Sequence, residues 1–154
     1  MLRRSLNTAL IAVIAGALIP AAADAQWWRR HPAYLHAMSN LRKVFWLLRH
    51  RGPADPMARD EENVALRETR AAYQELLNAA IMDDYDIDAR PPATMNWYDH
   101  RGRLHHVVDL LRETQVLLER EEEDPAASGL RDRAIAHIKL AARATDLAIQ
   151  ALGY

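Results

Sequence analysis

The chain has 154 residues, half of them hydrophobic and 27% charged, with no cysteine and a formal net charge of −1. That length holds one domain with a real core and is too short for two. The absence of cysteine excludes disulfide frameworks, thiolate zinc sites, iron–sulfur clusters, c-type haem attachment and cysteine catalysis, and the near balance of charge argues against a nucleic-acid protein.

Residues 1–25 read as a cleaved export signal. Arg3 and Arg4 form a positive start, Ala9–Ile19 is an uncharged apolar stretch of 11 residues, and Ala23-Asp24-Ala25 is a small-x-small cleavage site after Pro20. The apolar stretch falls well short of the roughly 20 residues a spanning helix needs. Arg3-Arg4-Ser5-Leu6 also fits a weak twin-arginine signal; paired arginines are common enough in ordinary signals that the ordinary route is preferred. The expected mature domain is 26–154, with no transmembrane segment, located in the bacterial periplasm or the medium. That compartment is oxidising, yet no disulfide is possible, so packing must supply the stability.

Proline and glycine cluster at 32, 52–56, 91–92, 102, 125–129 and 153, and the intervals between are free of both. Long helices joined by turns give that pattern. The first predicted helix covers about 32–51, with Pro32 in its first turn, a stripe of Met38, Leu41, Val44/Phe45 and Leu48, and Gly52-Pro53 as its stop. The second covers about 56–82. Asp55-Pro56 opens it, Asp60, Glu61 and Glu62 favour its early turns, and Leu66, Ala72/Tyr73, Leu76/Leu77 and Ala80 form its stripe. The third covers about 101–122, with Leu104, Val107/Val108, Leu111, Gln115 and Leu118. The fourth covers about 126–152, with Ile135, Ile138, Ala142, Thr145, Ile149 and Leu152. No strand signal is present. Treating sequential helices as antiparallel neighbours predicts an all-α, up-down-up-down four-helix bundle, with 83–100 as its one long connection.

Three segments, His31–Arg42 (HPAYLHAMSNLR), Gly102–His106 (GRLHH) and Arg131–Ile138 (RDRAIAHI), resemble a family of small exported bacterial helical proteins with no established activity. The resemblance implies a helical bundle in the cell envelope and transfers no catalytic residue.

Strict alternation sorts the side chains by end. It gathers His31, His36, His100, His105 and His106 where the first helix starts, together with Asp83, Asp84, Asp86 and Asp88, and leaves His50 at the other end. Imidazole and carboxylate are the ligands of zinc, copper, nickel and iron, and aspartates at a helix C-terminus oppose the macrodipole. The candidate metal ligands are therefore His36, His105, His106, His100 and Asp84, with zinc or copper as the metal. Two considerations oppose that reading. Adjacent His105 and His106 point about 100° apart on a helix, and end histidines commonly pin a loop. Asp84-x-Asp86-x-Asp88 fails as a calcium loop, because Ala89 and Met95 stand where glycine and glutamate are needed.

Other chemistries are poorly supported. No Glu-x-x-His serves a di-metal bundle site, His-Glu-x-x-His is absent, and the mature chain's Ser39 and Ser128 lack a nucleophile context. The expected function is non-enzymatic binding, of a metal ion or an envelope protein, at the His/Asp/aromatic end. The alternative is a structural or protein-interaction module of the envelope with no ligand.

Overall fold

The computed structural model describes residues 32–50, 56–80, 99–120 and 128–153. These form four helices: α1 Pro32–Arg49, α2 Pro56–Ala80, α3 His100–Arg120 and α4 Ser128–Ala151. No strand occurs among the described residues, and no described helix is long and apolar enough to cross a membrane. The export signal lies outside the described residues.

Local chemistry sets the boundaries. Pro32 and Pro56 stand at first helical positions, where a missing N–H costs nothing. Asp99 caps α3, its Oδ1 accepting the Gly102 N–H at 2.7 Å. Gly153 ends the last helix at φ 75°, with its N–H donating to the Gln150 carbonyl at 3.1 Å; a left-handed residue there is the common helix stop, and glycine adopts it without a Cβ penalty.

One apolar core runs through all four helices. Leu41, Val44 and Leu48 of α1, Leu76 of α2, Leu104, Val107 and Leu111 of α3, and Ile138 of α4 are buried in it. The most extensive packing joins α2 to α4. Ala65, Ala72 and Ala79 repeat every seven residues on α2, as do Ala134, Ala141 and Ala148 on α4, and all six are buried. A heptad of alanines presents a smooth seam, and small side chains let two helix axes approach closely.

Helix directions follow from the pairs that tie neighbours together. Glu75 and Glu68 of α2 meet Arg133 and His137 of α4 at 3.0 and 2.8 Å. The later α4 residue meets the earlier α2 residue, so α2 and α4 are antiparallel. Arg112 and Glu119 of α3 meet Asp146 and Lys139 of α4 at 3.5 and 3.4 Å, so α3 and α4 are antiparallel too. Thus α2 and α3 run the same way. The start of α3 accordingly lies beside the start of α2, where His100 contacts Glu62, and beside the end of α1, where Arg103 donates to the His50 carbonyl at 2.9 Å. Around the bundle the order is α1–α2–α4–α3.

This corrects the strict up-down-up-down expectation. The four helices are present, but the second and third are parallel and sit on a diagonal. Two hairpins, α1–α2 and α3–α4, are laid against each other. Sequential helices must be antiparallel only when their connection is too short to return. The 18 residues 81–98 span on the order of 60 Å when extended, whereas 25-residue α2 is about 37 Å long.

Candidate functional site

The direction of α3 rearranges the predicted histidine end. His36 lies 14 residues before His50 on α1, about 21 Å along the axis, whereas α3 starts beside His50. His36 and His100 therefore belong to opposite ends of the bundle. His105 is exposed and His106 half-buried on α3; Asp84 and His31 lie outside the described residues. Among the described residues no group of three or more His, Asp or Glu is arranged to hold a metal ion.

At one end three helices meet through a buried carboxylate. Glu62 has no exposed surface. His100 Nε2–H donates to its Oε1, and the Arg103 guanidinium stands 3.7 Å from its Oε2. Arg103 is itself 6% exposed, and its Nη1 serves the His50 carbonyl, one of the acceptors that a helix C-terminus leaves without an intrahelical partner. His50 closes the group on α1: its ring stacks on Trp46 at 4.2 Å between centroids, and its Nδ1 bonds the Trp46 carbonyl at 3.0 Å. Burying a charge is costly unless it is paired, and here α3 supplies two partners of an α2 carboxylate while its arginine caps α1. A carboxylate sealed from solvent cannot reach a substrate. The group is a clasp for the end of the bundle.

Among the described residues, a cleft open to solvent lies on the seam between α1 and α2. This half-open cleft of about 260 Å³ is lined by Phe45 and Arg49 of α1 and by Leu66, Arg67 and Arg70 of α2. The Arg70 guanidinium sits over the Phe45 ring, 5.1 Å from its centroid, a cation–π contact that holds the group in place. The sequence places no carboxylate on α1 at all. On α2, Glu62 faces α3, while Glu68 and Glu75 are tied to α4. Three arginines and two apolar side chains thus make up the lining of the cleft.

Sequence reasoning missed both features. Glu62 read only as a favourable charge near a helix start, because its partner stands 38 residues away. Arg49, Arg67 and Arg70 drew no reading from the sequence. The usable signal was the absence of Asp and Glu from 32–49, beside Arg67 and Arg70 one turn apart.

Compared with protein-family models, curated proteins and solved structures, the chain gives no match.

Proposed function

We propose that the chain is an exported, non-enzymatic binding protein whose recognition surface is the cationic cleft between α1 and α2. One observation supports this reading above the others: Arg49, Arg67 and Arg70 line a single cleft together with Phe45 and Leu66. Guanidinium forks match carboxylate and phosphate in geometry, and like charges at helical spacing repel each other modestly. An anion that binds the folded cleft and not the unfolded chain stabilises the fold by linkage. Export to the periplasm or medium, with cleavage after Ala25, is part of the same proposal.

Two measurements test it. Protein recovered from the periplasmic fraction begins at Gln26 on N-terminal sequencing. Organic anions raise the melting temperature, the effect weakens with added salt, and it disappears in Arg67→Gln/Arg70→Gln. A melting temperature indifferent to anions, or a shift that survives the double substitution, removes the cleft as recognition surface and returns the chain to a ligand-free structural module.

A further inference from the structure

We infer that the outward face of α4 is a contact surface for a second copy of this chain, with the two α4 helices packed antiparallel about a two-fold axis midway between Leu140 and Leu147. The first observation is a stripe. Of the four large apolar side chains exposed among the described residues, two stand on α4, Leu140 at 50% and Leu147 at 42%. Ala136, Leu140, Arg143, Leu147 and Gln150 are all exposed. They follow one another by four, three, four and three residues, which is the spacing of a helix–helix seam. Ala134, Ile138, Ala141, Thr145 and Ala148 hold the opposite face of α4 in the bundle core. The helix thus carries two seams, one packed within the chain and one turned to solvent.

The second observation is that the outer stripe complements itself. A two-fold contact sets one patch against the same patch of another copy. With the axis midway between the leucines, Leu140 of each copy lies on Leu147 of the other, and both leave water. Lys139, Arg143 and Asp146 lie along the edge of the stripe nearer α3. At 1.5 Å per residue, Asp146 of one copy falls midway between the levels of Lys139 and Arg143 of the other, about 3 Å along the axis from each. The two Arg143 side chains come near the axis, and each has an Asp146 of the other copy beside it. Within the chain Lys139 reaches Glu119 at 3.4 Å and Asp146 reaches Arg112 at 3.5 Å, and all four side chains are at least 42% exposed. Exposed pairs of that kind hold their members weakly. Arg143 has no ion pair among the described residues.

Two leucines per copy are a small apolar surface beside the roughly 1,600 Å² of a standard interface. The dimer therefore forms at high protein concentration and dissociates on dilution.

Sedimentation velocity over a hundredfold range of concentration reads the association, and the sedimentation coefficient rises towards that of a dimer. Leu140→Gln/Leu147→Gln, at exposed positions, keeps the protein monomeric over the same range with unchanged circular dichroism. Asp146→Lys weakens association at least threefold. Cross-linking tests the register, because the chain has no cysteine of its own. The proposed axis sets residue 140 level with residue 147 of the second copy, whereas the two copies of residue 140 stand about 10 Å apart along the seam, beyond disulfide reach. A mixture of Leu140→Cys and Leu147→Cys proteins therefore cross-links at least tenfold faster than either protein alone. A monomer at every concentration overturns the proposal, as does association that survives Leu140→Gln/Leu147→Gln. Equal cross-linking in the mixture and in either protein alone, or association indifferent to Asp146→Lys, overturns the antiparallel register.

Discussion

Replacing Glu62 by leucine tests whether the buried clasp holds the end of the bundle. The substitution keeps an apolar side chain of similar size in a site with no exposed surface, so the loss is electrostatic. His100 is 21% exposed at its side chain, and water takes over part of its lost hydrogen bond. Arg103 is the costly group: it stays buried and keeps the His50 carbonyl but loses the carboxylate beside it. Removing one partner of a buried pair costs about 3–5 kcal/mol, and the retained carbonyl places this case near the lower end, about 3–4 kcal/mol. For a domain of about 120 residues, unfolding entropy near 2.1 cal/mol/K per residue makes 1 kcal/mol worth about 4 °C. Glu62→Leu therefore lowers the melting temperature by about 12–16 °C. Glu62→Leu/Arg103→Met removes the buried cation as well and gives up the α1 cap, so it melts about 4–8 °C below the parent, using the same conversion. Thermal and urea denaturation followed by far-ultraviolet circular dichroism measure both, provided each transition is two-state. A single substitution costing under about 1 kcal/mol, or a double variant less stable than the single, refutes the clasp.

Three further predictions concern packing and pH. Leu111→Ala empties a fully buried site and costs about 2–5 kcal/mol in the same denaturation assay. Thr145→Val, equally buried, changes stability by no more than about 1 kcal/mol, because Oγ1 donates at 2.8 Å to a carbonyl already engaged by its own helix. The Glu119 carboxyl is held below its ordinary value of 4.5 by the Gln115 side-chain amide and then by Lys139. Its folded value being the lower one, its contribution is present at neutral pH and is lost as pH falls below 4.5 through the depressed value. Glu119→Gln removes that part of the acid dependence, read as a flatter plot of urea midpoint against pH.

Helix positions were legible because their punctuation is local. Pro32, Pro56 and Gly153 act on their own neighbours, and the predicted bounds lie within two residues of the described helices. The relative direction of α2 and α3 was hidden, since it depends on how a long connection is routed and leaves no periodic mark. From that one misreading the histidine end followed: sorted by alternation His36 joined His100, and sorted by actual direction His50 does. The alanine heptads at 65, 72, 79 and 134, 141, 148 were readable and were passed over in favour of larger residues. They identify which pair of helices packs most extensively without any model of topology.

The arrangement of two parallel middle helices also bears on how copies of the chain can associate. Each hairpin is continuous in sequence, and the contacts between hairpins, α1 with α3 and α2 with α4, join residues on opposite sides of the 81–98 connection. Nothing in those contacts requires both hairpins to come from the same molecule. Two chains can exchange halves, α1–α2 of one seating on α3–α4 of the other, with the alanine seam and the Glu62 clasp formed as before. Domain swapping of this kind needs no new interface. At high concentration the connection's length then decides between closed monomer and exchanged dimer, because it sets the effective concentration of one half around the other.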